Sequence, residues 1–94
     1  MYRVEIIANR SVQEETVEYL EAAIPDILYT IIPDVHGRGK EDRKLGTVTW
    51  PEVNFILIAY VEDSHARVVR ERVRELKENF PNEGIKLFML KSED

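Results

Sequence analysis

The residues with the clearest capacity for chemistry lie in one stretch near the middle of the chain, Asp34-Val35-His36-Gly37-Arg38-Gly39-Lys40-Glu41-Asp42-Arg43-Lys44. Arg38, Lys40, Arg43 and Lys44 concentrate positive charge in a protein whose formal net charge is −5. Glycine has no Cβ, so Gly37 and Gly39 let the backbone turn and present N–H groups beside those cations. Concave runs of N–H groups bind anions, and the chemistry they suggest here is a phosphate or carboxylate pocket. A plainer reading stands beside it, in which the glycines permit a turn and the charges solvate a surface loop. Metal binding is a third reading, with His36 as the candidate ligand and Asp34 and Asp42 nearby. Gly-Arg-Gly-Lys is not a nucleotide-binding P-loop, because the required glycine spacing, the following serine or threonine and the following helix are missing. Trp50 is the only tryptophan, just before Pro51. It either anchors the end of this stretch on the body of the protein or, with Arg43 and Lys44, offers a contact surface to a partner protein.

The elements that must carry this stretch are legible on either side of it. Tyr2 to Ala8 alternates apolar and polar residues and reads as a strand. Ser11-Val12-Gln13-Glu14 fits a capping box that opens a helix, with Val17, Leu20 and Ile24 at helical spacing and Pro25 closing it. Ile27 to Ile32 is β-branched and aromatic, a second strand. Val53 to Val61 is nearly continuous apolar sequence broken by Asn54, a third strand covered on both faces. Asp63 or Ser64 is positioned to cap a second helix, whose apolar stripe is Ala66, Val69, Val73, Leu76 and Phe80. Arg67–Glu71 and Arg74–Glu78 are spaced to pair along it. Pro81, Asn82 and Gly84 make a turn, Ile85 to Leu90 a fourth strand, and Lys91 to Asp94 a frayed polar tail.

The order is β-α-β-β-α-β, the ferredoxin-like α+β plan of a four-stranded antiparallel sheet with both helices on one face. The 94 residues make one domain, 1–94. Two helices cover one face of a sheet, yet Leu28 and Ile32, Ile56 and Ile58, and Phe88 and Leu90 would lie on the other. An apolar patch of that extent is rare on a monomer, so the pattern predicts a homo-oligomer. The twenty or so residues from Pro33 to Glu52 exceed the two to five of an ordinary hairpin, and loops of such length are functional or disordered.

Composition narrows the function. There are no cysteines, so disulfides and thiolate metal sites are excluded. With 44% hydrophobic residues a core can form, and with 33% charged residues the surface resembles the ion-paired surfaces of thermophiles. No apolar run is long enough to span a membrane and no leader precedes the first strand, so the expectation is a cytoplasmic protein without membrane insertion. The acidic balance argues against nucleic-acid binding. Tyr2, Phe55 and Tyr60 do not form the stacking motifs of an RNA-binding sheet. There is no cysteine nucleophile and no serine or threonine with an evident histidine base, His65 being read as a solvated group in the first turn of a helix, so the protein is expected not to be an enzyme.

The β-α-β-β-α-β plan, the long connection after the second strand and Val35-His36-Gly37-Arg38-Gly39-Lys40 together resemble the PII nitrogen-regulatory superfamily. Its members carry Val-x-Gly-x-Gly-Arg/Lys where strand two enters the T-loop. The resemblance implies a homotrimer with a small-molecule effector, a nucleotide being the candidate, in clefts between subunits. It also implies a T-loop, here 34–52, that docks on a membrane transporter or another regulated protein. Gly37, Gly39 and Lys40 would lie closest to a bound phosphate. With Arg38, Glu41, Gly84 and Lys86 they form the candidate ligand set, and Arg43, Lys44 and Trp50 the candidate partner-binding set. Glu41 stands where the superfamily has a glutamine that helps bind 2-oxoglutarate with magnesium, and a carboxylate there repels a dicarboxylate. The loop has no tyrosine for uridylylation. The superfamily's Thr-Gly-x-x-Gly-Asp-Gly segment is reduced to Pro81-Asn82-Glu83-Gly84. A weaker resemblance, through Phe80-Pro81-Asn82-Glu83, is to the CutA divalent-cation tolerance proteins, and it implies metal binding as the alternative.

Overall fold

In the computed structural model, which describes residues 1–37 and 52–93, the strands are β1 (Tyr2–Asn9), β2 (Tyr29–Gly37), β3 (Glu52–Val61) and β4 (Ile85–Lys91). The helices are α1 (Gln13–Ala23) and α2 (Ala66–Asn79). The strands form one antiparallel sheet in the order β2-β3-β1-β4, the ferredoxin-like α+β arrangement that the sequence pattern predicts.

One face of the sheet is closed by the helices. Alternation along β1 turns Val4, Ile6 and Ala8 inward, and along β3 Phe55, Leu57, Ala59 and Val61, all fully or almost fully buried. From α1 and its flanks come Val12, Thr16, Leu20 and Ile24, one residue per turn, and from α2 Ala66, Val69, Val73 and Leu76. Thr16 is the buried polar member of this layer. Its Oγ1 donates to the Val12 carbonyl at 2.7 Å, which removes the cost of burying a free hydroxyl. Replacing it by valine should therefore cost no more than about 1.5 kcal/mol, read from the urea midpoint, since both ends of one modest bond are lost without orphaning the backbone carbonyl.

The other face is open. Register aligns Ile32, Ile56, Ile7 and Lys86 in one row across it, and Thr30, Ile58, Glu5 and Phe88 in the next. A third row holds Tyr60, Arg3 and Leu90. Ile32, Phe88 and Leu90 are 43%, 47% and 53% exposed, so the apolar surface expected on the uncovered side is present. Leu28, 84% exposed, lies just before β2.

Several local expectations are corrected. Ser11 does not cap α1: a 3-10 turn, Arg10–Val12, precedes the helix, and the Asn9 side chain accepts the Ser11 N–H at 2.9 Å. Glu14 therefore has no capping serine to reach back to. Neither Asp63 nor Ser64 caps α2 through its side chain, because they belong to a second 3-10 turn, Asp63–His65, before it. On α2 the pair Arg67–Glu71 forms at 3.4 Å, but Arg72–Glu75 at 2.9 Å takes the place of the expected Arg74–Glu78. β2 begins two residues late and runs through Pro33 to Gly37, so residues 34–37 of the expected loop are strand, and the connection to β3 is 38–51. The chain accommodates Pro33 and Asp34 because β2 is an edge strand and slips register between Ile32 and Val35, a bulge in which Asp34 takes φ 55. Aspartate tolerates this left-handed conformation and β-branched residues do not. Asp34→Val is expected to lose about 1–2 kcal/mol and Asp34→Gly to lose nothing measurable, both by urea denaturation.

The tail is tied rather than frayed at its start. Lys91 Nζ and the Met1 amine each donate to an Asp63 oxygen at 2.5 Å, and the Ser92 N–H bonds to the Met1 carbonyl. Lys91 and Arg70 also lie over the Tyr2 ring, at 4.9 and 5.6 Å from its centre. The Lys91 bond, with that of the amine, lowers the Asp63 carboxyl from its ordinary 3.8 to about 2. A carboxyl depressed in the folded state adds stability above its unfolded pKa and loses it as pH falls through the folded one. Asp63→Asn should accordingly flatten the loss of stability between about pH 4 and pH 2 and leave it unchanged at pH 7 to 9 apart from a constant offset.

Candidate functional site

Antiparallel pairing collects one set of strand ends at one end of the sheet. There the C-termini of β1 and β2 meet the N-termini of β3 and β4, with Val35, Asn54 and Asn9 in a row across three strands. Gly37 leaves β2 on one edge. A Cβ there would come within 3.1 Å of Asn54 Nδ2, so glycine lets this asparagine stand close against the strand. Arg10, from the turn after β1, donates from Nη1 to Asp34 Oδ1 in the β2 bulge at 3.3 Å. His36 is exposed on the same strand end.

Gly84 and Lys86 lie at the same end of the sheet but on the opposite edge. The Gly84 carbonyl accepts the Asn9 N–H at 3.1 Å, and Lys86 pairs with Ile7 on the open face. β3 and β1 separate the two edges, so at strand spacings of about 4.8 Å the strands that carry Gly37 and Lys86 are roughly 14 Å apart, and register sets Gly37 about 13 Å further along the strand direction. Among the described residues, Gly37 and Lys86 are thus too far apart to meet around one small anion in a single chain. It presents them on opposite edges of one end, facing away from each other. Arg38, Gly39, Lys40, Glu41, Arg43, Lys44 and Trp50 lie outside the described residues.

A Cβ at Gly84 would meet nothing within 4 Å, so this glycine is not sterically required. Gly84→Ala is expected to be neutral or to stabilise by up to about 1 kcal/mol, by restricting the unfolded chain, and thermal unfolding would show it. Sequence reasoning did not place Asn9, Arg10, Asp34 and Asn54 at this end of the molecule. The signal available was Asn54, a polar interruption in an otherwise apolar strand. Among the described residues no group of three or more histidine, aspartate or glutamate side chains stands close enough to hold a metal ion. No helix among them is long and apolar enough to cross a membrane.

No family model matches the chain, and no curated protein matches it by sequence. Among solved structures, CPII from Thiomonas intermedia K12, a nitrogen regulatory PII-like protein bound to ADP, AMP and bicarbonate, superposes with a TM-score of 0.66. It covers 99% of this chain and 88% of its own, at 16% identity. The fold is that of the PII-like proteins. The apo form of CPII gives a TM-score of 0.65 at 18% identity, over 97% of this chain and 89% of its own. A Thermus thermophilus protein assigned to the PII-like signalling proteins gives 0.59 at 24% identity, over 95% and 83%. The described part of β2 ends at Gly37.

Proposed function

We propose that this chain is a divergent PII-like regulatory protein that works by binding. In this reading it forms a homotrimer in the cytoplasm, takes a small anionic effector of the nucleotide class at clefts between subunits, and contacts a regulated protein through the 38–51 segment. The observation that carries the proposal is the split site: Gly37 and Lys86 occupy opposite edges of the same end of one sheet. Only a neighbouring copy, presenting its opposite edge, brings both halves to one ligand. The open apolar face supplies a reason for copies to associate. The ligands of CPII, two adenine nucleotides and bicarbonate, support the choice of effector class.

In the assembled protein Gly37, Arg38, Gly39 and Lys40 provide backbone N–H groups and cations for phosphate oxygens from one subunit, and Lys86 a cation from the next. Glu41 disfavours a dicarboxylate such as 2-oxoglutarate in the same place. Effector binding is then coupled to the partner through the segment that carries Arg43, Lys44 and Trp50, a switching device in which ligand contacts favour the arrangement that the partner recognises.

Limited trypsin digestion with and without ADP tests the coupling, because Arg38, Lys40, Arg43 and Lys44 are cleavage sites within the segment. Protection by saturating ADP, lost in Lys86→Glu, is the expected result. Saturation of the cleft with no change in cleavage would separate the ligand from the segment and refute the switch.

A further inference from the structure

In the middle of the open sheet face, between apolar residues of β3 and β4, sits a small polar cluster. Arg3 Nη2 pairs with Glu5 Oε2 at 3.2 Å on the same strand, and Arg3 Nη1 donates to the Tyr60 hydroxyl at 3.0 Å. The guanidinium lies 5.9 Å from the centre of the Tyr60 ring. The Arg3 and Glu5 side chains are already only 35% and 27% exposed in the single chain. Ionised groups at the centre of a face that otherwise gains by leaving water are costly unless whatever covers the face pairs with them.

We propose that this cluster is a register key for self-association, in which Arg3 of one copy meets Glu5 of the next when copies of the chain close the open face. The inference rests on the assembly proposed above and adds the residues that select its arrangement. The occupant is a second copy because the face carries both members of its own ion pair. An acidic partner would leave Glu5 facing like charge, and a basic partner would leave Arg3 so. A cyclic arrangement of copies pairs each with the other. The charge of the whole chain points the same way: at a net −5, copies repel unless opposite charges are matched where they touch.

Apolar contacts alone would not fix the arrangement. Ile32, Ile56 and Ile7 form a flat aliphatic row that packs nearly as well after sliding against a neighbour. A slide that sets Arg3 against Arg3 or Glu5 against Glu5 is penalised, since directly opposed like charges are destabilising and more so when desolvated. Single polar residues in apolar seams set register in coiled coils by the same means. The hydrogen bond from Arg3 to Tyr60 holds the guanidinium against the sheet, so its fork is oriented before a neighbour arrives.

Native mass spectrometry and sedimentation equilibrium on full-length Arg3→Glu, Glu5→Arg and the double variant Arg3→Glu/Glu5→Arg test the key, with circular dichroism as the check on folding. Each charge-reversed protein alone should show an assembly dissociation constant raised at least about tenfold, and the double variant Arg3→Glu/Glu5→Arg should recover assembly, since opposite charges then meet at every contact around a ring. The isosteric Glu5→Gln and Tyr60→Phe, which disturb the strand least, should weaken assembly less and remain folded. Charge-reversed proteins that assemble as the wild type does, or a folded double variant that stays dissociated, would overturn the key and leave the assembly intact. A wild type that is monomeric at all concentrations would overturn the assembly and the key together.

Discussion

Phe55→Ala should lose about 3–5 kcal/mol of unfolding free energy, the largest effect expected of any single truncation among the described residues. Among the described residues Phe55 is the largest of the fully buried side chains, at 0% exposed, on the inward face of β3. β3 is a central strand, flanked by β2 and β1, so the cavity would open where the sheet meets both helices and where little can collapse to fill it. A domain of this size has a total stability of about 5–15 kcal/mol, so the variant would sit near the folding threshold. Urea denaturation at fixed protein concentration is the measurement, because association with other copies would add a concentration-dependent term. A loss below about 1 kcal/mol would place Phe55 outside a tightly packed core and undo the packing described for both layers.

Ile56→Asp should act on the opposite face and in a different observable. Ile56 faces away from the helices, between Ile32 and Ile7, and is half-buried in the single chain. In an isolated subunit the carboxylate stays hydrated, and the cost is the strand preference of aspartate, about 1 kcal/mol. In the assembled protein it would be buried among aliphatic side chains without a partner, at a cost of several kcal/mol. Dissociation should therefore be favoured by about a hundredfold or more while the fold survives, a separation seen by comparing sedimentation with circular dichroism. An unchanged assembly with Ile56→Asp would mean that this face is not where copies meet.

The layers of the fold were legible because burial writes a simple period into sequence. Val4, Ile6 and Ala8 alternate because one side of β1 faces helices, and Ala66, Val69, Val73 and Leu76 repeat at three and four because one stripe of α2 faces the sheet. The ends of elements were less legible, since several local solutions compete there. Ser11 and Glu14 have the spacing of a capping box, but the tighter 3-10 turn hands the cap to Asn9 two residues earlier. Pro33 and Asp34 read as punctuation because a proline cannot donate to a ladder and an aspartate favours turns. An edge strand with a bulge has a place for both.

The candidate site was legible as a composition of residues and not as an arrangement. Gly37 with its neighbouring cations is recognisable in sequence as anion-binding chemistry, and Gly84 with Lys86 enters only through the resemblance to the PII superfamily. That they lie on opposite edges of one sheet end follows from strand order, which depends on pairings between residues far apart in the chain. Asp34 and Arg10 show the same limit: 24 positions apart, they meet only because β1 and β2 end together. Residues 38–51, which carry most of the expected ligand and partner contacts, lie outside the described residues.

The central claim, that an anionic effector of the nucleotide class bridges the two sheet edges between copies, is tested most directly by thermal unfolding with ADP, AMP, bicarbonate, inorganic phosphate and divalent copper, zinc and nickel in turn. At 100 times its dissociation constant a ligand adds about 2.7 kcal/mol, which raises the midpoint of a domain this size by several degrees. The prediction is a shift with an adenine nucleotide that Lys86→Glu abolishes. A shift with metals and none with nucleotides, or a nucleotide shift that Lys86→Glu leaves intact, would contradict it.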